Sequence, residues 1–137
     1  MSNAIAVAEP NTNAVIDHGY SSIVGNDIEA RKRIFAAVGA AEKLGDHLGE
    51  TINVVDIIVM PVTAENEETG VVEEYLRTTL IDAEGKAFAT GSEGVASAVR
   101  SALRIFGEPS DWPEGGLAFM PVEKKGAKYK YFTLELA

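Results

Sequence analysis

The spacing of apolar residues changes character several times along the chain, and each change predicts an element. TINVVDIIVMPV, residues 51–62, is rich in β-branched side chains and reads as a strand, with Pro61 limiting ladder pairing near its end. VVEEYLRTTLID, residues 71–82, alternates. Val72, Leu76 and Leu80 fall on one face, and Glu73, Tyr75, Arg77 and Thr79 on the other, as in a half-exposed strand. Ala83, Glu84 and Gly85 make a short hairpin connection to KAFAT, a third strand. The period then becomes helical: Ser92 offers an N-cap, Val95, Val99, Leu103 and Phe106 form a stripe, and Gly107 with Pro109 ends it. GLAFMPVEK and KYKYFTLEL follow as two strands joined by a tight turn around Lys125 and Gly126.

Upstream, Asn26 or Asp27 can cap a helix over about residues 26–44, running through EARKRIFAAVGAAEKL before Gly45 and Gly49. Ile28, Ile34, Phe35 and Val38 supply its apolar contacts, and Arg31, Lys32 and Arg33 a basic side. Residues 1–25 mix small and polar types without a sustained period and read as a flexible N-terminal arm. Residues 26–137 are then one domain, in keeping with a chain of 137 residues. Its order of elements, β-β-β-α-β-β after an N-terminal helix, predicts a mainly β fold with helices. The specific expectation is a five-stranded OB-like barrel, a fold that offers a strand face and loops to single-stranded nucleic acid.

Charge complicates that expectation before it helps. The net charge of −9 argues against a polyanionic ligand, but the charges are unevenly placed. Residues 1–70 hold four basic residues against eleven acidic ones, whereas 71–137 hold eight against ten. Within 115–137, four lysines face only Glu123 and Glu135, and a ligand senses the local field rather than the sum. The absence of cysteine excludes disulfides, thiolate zinc sites and cysteine nucleophiles. With two histidines in separate segments, a histidine-rich metal site is not expected. ENEETG lacks the alternating ligands of a calcium loop. No P-loop, GxSxG or HExxH pattern occurs, so the chain is expected not to be an enzyme and to need no cofactor. No apolar run approaches the ~20 residues of a membrane span, and a soluble, non-exported protein is expected.

The chemistry concentrates in KKGAKYKYFTLELA, residues 124–137. Alternation puts Lys128, Lys130, Phe132, Leu134 and Leu136 on one side of the last strand, the last three as core. Tyr129, Tyr131, Thr133 and Glu135 fall on the other side. Unpaired bases present π-faces that stack on aromatic rings, and Lys124, Lys125, Lys128 and Lys130 can neutralise phosphates. Tyr75 with Arg77 offers a second aromatic and cation pair on another strand, and Phe88 a further ring, although a core role suits Phe88 at least as well. The alternative is structural: tyrosines packed edgewise against neighbouring strands, and lysines blunting a sheet edge. A protein-interaction module using the hairpin for strand addition is the rival from another functional class, and oligosaccharide binding a third.

From about Asn26 to Ala137 the chain resembles the single-stranded DNA-binding proteins encoded by phages of Gram-positive bacteria. The resemblance lies in the helix before GETINVVDIIV, the ETGVVEE loop, RTTLIDAEGKAFATGSEGVASAVRSALRIFGEPSDWPEG, and the hairpin ending KYKYFTLELA. It implies an OB-like barrel that coats displaced single strands during phage DNA replication in the host cytoplasm. No cofactor and no membrane are implied. Phage replication proteins and other copies of the chain are candidate partners. The positions it carries over are Tyr75, Arg77, Lys128, Tyr129, Lys130 and Tyr131.

Overall fold

The computed structural model describes residues 19–23, 27–128 and 130–137. Its order is β1 (Tyr20–Ser21), α1 (Ile28–Ala40), β2 (Glu42–Lys43), β3 (Ile52–Glu65), β4 (Val72–Asp82), β5 (Ala87–Thr90), α2 (Glu93–Phe106), β6 (Leu117–Lys125) and β7 (Lys130–Leu136). The fold is mainly β, a curled, half-barrel sheet with two helices. The five expected strands are β3 to β7, with α2 after the third, but the sheet has seven. Its path runs β2-β5-β4-β3-β6-β7, with β1 added on β3. Among the described residues β5 and β7 do not pair, so the ribbon is not closed by a ladder.

The curl depends on β3, which serves two partners on one edge: Ile52–Val54 pair with β6, and Ile58–Val59 with β1. Its other edge pairs with β4 from Val54 to Glu65, with a register shift between Val54 and Asp56. That bulge resets the alternation. Ile52 and Val54 before it, and Ile57 and Val59 after it, join the same core, whereas strict period two would turn the second pair outward. Leu44, Leu80, Phe88, Val95, Val99, Ala102, Leu103, Trp112, Phe119 and Leu134 complete this cluster. Pairing with β4 continues through Pro61, opposite Leu76, to Glu65. Pro61 therefore does not limit the ladder, as proline at an edge position need not.

α2 is the helix expected from residue 93. The Ser92 hydroxyl accepts from the Val95 N–H, and Gly107, at φ 79°, returns its N–H to the Leu103 carbonyl. Val95, Val99 and Leu103 are buried, whereas Phe106, the last of the predicted stripe, is 41% exposed. α1 starts where expected, with the Asp27 carboxylate accepting from the Ala30 N–H at 2.9 Å; Asn26 lies outside the described residues. The helix ends at Ala40, four residues early. Glu42 and Lys43 leave it to pair parallel with Phe88 and Ala89, and the turn Leu44–His47 then places Leu44 at 0% exposure in the core. A further helical turn would forfeit both the pairing and that burial. α1 covers a second cluster on the outer face of the sheet through Ala30, Ile34, Ala37 and Val38, against Ile23, Ile58, Ile81 and Ala87. Ile28 and Phe35, expected on that face, are instead exposed.

Of the expected N-terminal arm, residues 1–18, 24 and 25 lie outside the described residues. Gly19–Ile23 are part of the sheet region: Tyr20 and Ser21 pair with β3, and Ile23 is buried. The Tyr20 hydroxyl donates to Glu108 at 2.9 Å. Burial first, and this acceptor second, push that phenol well above the usual tyrosine range. No described helix is long and apolar enough to cross a membrane.

Candidate nucleic-acid interface

Two strands carry the candidate residues, and the connection between β5 and α2 brings them to a common border. On β4 the alternation holds as expected: Leu76 and Leu80 face the inner core, and Tyr75 and Arg77 the outer face. Thr79, on that outer face, is buried at 2% rather than solvated. Tyr75 is 42% exposed. It is held from one side by Gly91, where a built Cβ would lie 2.9 Å from the ring edge. Only a residue without a side chain lets the backbone approach the ring so closely. Tyr75 and Arg77 line a hollow of about 200 Å³ with Lys43, Thr90, Gly91 and Glu42, whose carboxylate is engaged by Lys86 and His47. Lys43 reaches it because β2 lies beside β5, a placement that helical spacing in this segment did not suggest.

The next residue, Ser92, crosses to β7. Its hydroxyl donates to the Phe132 carbonyl at 2.9 Å, and the Thr133 hydroxyl answers by donating to the Gly94 carbonyl at 3.1 Å. A Cβ on Gly94 would collide with the Phe132 carbonyl oxygen, so the helix start rests directly on the strand backbone. The gap between β5 and β7 is thus bridged by the first turn of α2. A short chain of contacts, Tyr75 to Gly91, Ser92 to Phe132, links the β4 aromatic to the strand bearing Tyr131. Gly91, directly after KAFAT, is the signal of this contact in the sequence, because glycine beside a strand end marks a close approach.

On the terminal hairpin Phe132 packs against the core and Leu134 is buried within it, whereas Leu136 is 51% exposed at the strand's end. Tyr131 is 49% exposed and lies opposite Lys124 across the ladder. Lys124 is ion-paired with Glu135, which holds its ammonium above the usual lysine range. Part of its charge is therefore already matched. Lys125, Lys128 and Lys130 are exposed, and Lys125 sits opposite Lys130 in register. Two like charges directly opposite are mutually unfavourable, and an anion between them relieves that cost. The connection is Gly126 to residue 129, longer than the expected tight turn. Tyr129 lies outside the described residues.

Phe88 does not join this surface. It is 4% exposed, and its ring meets His47 edge-on at 4.8 Å in the core. Burying it beneath the β2 segment offsets more free energy than leaving an aromatic bare. Trp112 is also buried at 8%, its indole N–H donating to the Gly107 carbonyl. Arg33 of the basic α1 side reaches Asp56 at 3.4 Å. Among the described residues no group of three or more histidine, aspartate or glutamate side chains is placed to hold a metal ion.

Comparison with known proteins gives the chain a family. The family described as phage single-stranded DNA-binding protein matches residues 13–137. A single-stranded DNA-binding protein of Bacillus phage GA-1 is 35% identical over 75 residues, 55% of this chain. The chain spans 44% of that relative's length. No solved structure matches. With the family match extending over nearly all of its residues, the chain belongs to the phage single-stranded DNA-binding protein family.

Proposed function

We propose that this protein binds single-stranded DNA without sequence preference, by means of an OB-type curled sheet. Coating displaced strands during phage replication in the host cytoplasm is the role that follows. The carrying observation is that Tyr75 and Tyr131, both more than two-fifths exposed, stand on strands linked through Gly91 and Ser92, with cations beside each. A ring held in place by backbone, as Tyr75 is at Gly91, loses little freedom when a base stacks, and each stacked base contributes roughly 1–3 kcal/mol regardless of its identity. Lys43 and Arg77 on one side, and Lys125, Lys128 and Lys130 on the other, supply the phosphate contacts. Nothing in this scheme makes or breaks a covalent bond, so the role is binding rather than catalysis.

The test is a fluorescence titration with a thymidine oligomer and with duplex DNA of equal length. Saturable binding of the oligomer, at least about tenfold tighter than of the duplex, supports the proposal. Equal affinity for both, or none, overturns it.

A second reading rests on the β3–β4 ribbon. Beyond Val59 and Thr78 its two strands pair only with each other among the described residues, and Val71 and Val72 at its tip are 54% and 61% exposed. An exposed ribbon of this kind suits strand addition by a partner protein.

A further inference from the structure

α1 is apolar on both sides. Ala30, Ile34, Ala37 and Val38 pack on the sheet, yet Ile28 and Phe35 stand 63% and 82% exposed away from it. At ~3.6 residues per turn Ile28, Arg31, Lys32 and Phe35 fall on one outward stripe, and Glu29 lies off it on the flank of Arg33. The tip of the β3–β4 ribbon has the matching composition. Val71 and Val72 are exposed there among Glu65, Glu67, Glu68, Glu73 and Glu74, with no basic residue from Val62 to Leu76. We propose that the ribbon tip of one copy of this chain docks on the outward stripe of α1 of a second copy. The inference names an occupant for the ribbon; it goes beyond the single-strand reading and does not rest on it.

Charge selects the partner. Among the described residues Arg31 and Lys32 hold no carboxylate, and none of the five ribbon glutamates holds a cation, so both surfaces keep their charge for a complement. Acidic side chains around two valines would meet basic side chains between an isoleucine and a phenylalanine, which matches both potential and apolar surface across the contact. Reach excludes the same copy. α1 packs beside Ile81 and Ala87, and Val72 stands at the other end of β4 from Ile81, about 30 Å along the strand. The two patches differ, so the contact is heterologous: each copy gives one ribbon and receives one, and the assembly extends head to tail. Neither patch includes the terminal lysines, Lys43 or Arg77, so docking and phosphate contact use different side chains. A bound strand would hold successive copies together and raise their effective concentration for this contact.

The chain contains no cysteine, so single thiols report contacts without interference. A64C on the ribbon and a size-tagged G39C on α1 are mixed without DNA and joined by a short bismaleimide. Both positions are exposed, and a Cβ on Gly39 meets nothing within 4 Å, so each variant is expected to fold. The mixed product should exceed that of A64C with tagged S101C, on the exposed side of α2, by at least about fivefold. Adding R31E/K32E to the G39C variant should abolish the excess. E67K/E68K on the A64C variant should then restore it, a rescue that misfolding cannot produce. No excess over S101C overturns the docking and leaves the stripe to another occupant, DNA or a different protein. An excess indifferent to charge reversal, or a preference of A64C for itself, overturns it as well. Because no DNA is present, failure of the chain to bind a single strand would overturn that reading and leave this one standing.

Discussion

The Ser92 hydroxyl sits between two backbones, accepting from the Val95 N–H at 3.3 Å and donating to the Phe132 carbonyl at 2.9 Å. One side chain caps α2 and ties it to β7, in the place where a closed barrel would carry a ladder. The same tie brings the β4 and β7 aromatics to one border of the molecule.

Replacing Ser92 by alanine removes both bonds. The loss of an N-cap costs about 1 kcal/mol, and the stranded carbonyl a comparable amount. Chemical unfolding of S92A should show about 2 kcal/mol less stability than the parent, with an unchanged denaturant slope. Single-strand affinity should fall too, because the two halves of the surface lose their common anchor.

Gly94→Ala probes the same contact through sterics. The added methyl would overlap the Phe132 carbonyl oxygen, which belongs to a backbone and cannot swing aside. A loss of about 3 kcal/mol is expected from such overpacking. Gly45→Ala, where a Cβ meets nothing within 4 Å, is the matched control and should unfold with the parent.

Elements with a strong local signal were legible in the sequence. Asp27 and Ser92 act as the caps their types suggest, Leu76 and Leu80 face the core by period two, and Val95, Val99 and Leu103 form the buried stripe. What escaped depends on distant partners. The end of α1 is set by the room that the core holds for Leu44, and the facing of β3 by a bulge opposite β4, neither visible in a local pattern. Phe88 and Leu136 show the converse: alternation gives a side of a strand but not what covers it. Of the candidate surface, Tyr75, Arg77 and the terminal lysines could be named from the sequence. Lys43 and the Gly91–Ser92 bridge could not, because they enter through tertiary pairing.

The His47 ring lies between two carboxylates, Nδ1 at 3.0 Å from Glu50 and Nε2 at 2.9 Å from Glu42. The hydrogen bond to Glu50, helped by Glu42 and opposed by burial, raises its pKa above the ordinary histidine value. Both ring nitrogens can donate only in the imidazolium, so protonation favours the folded state. This contribution is complete below the unfolded pKa of about 6.5 and is lost as pH rises through the higher folded value. Stability measured by denaturant should therefore decline above pH 6.5 in the parent. H47Q should flatten that part of the profile; an identical slope in H47Q would place the titrating group elsewhere.

Salt reports how many cations meet phosphates. Three to five contacts drawn from Lys43, Arg77, Lys125, Lys128 and Lys130 predict a slope of log affinity against log salt of about −2 to −3.5. Replacing Lys125 and Lys130 together by glutamine should reduce its magnitude by about 1.4 while leaving stability within about 0.5 kcal/mol.

The most direct test of the account is photochemical cross-linking of an oligomer carrying 5-iododeoxyuridine at successive positions, followed by peptide mapping. Tyr75 and Tyr131 should both be labelled, at different positions of one bound strand, and duplex competitor should not diminish either. Labelling confined to the β3–β4 ribbon or α1, with both tyrosines untouched, would contradict it.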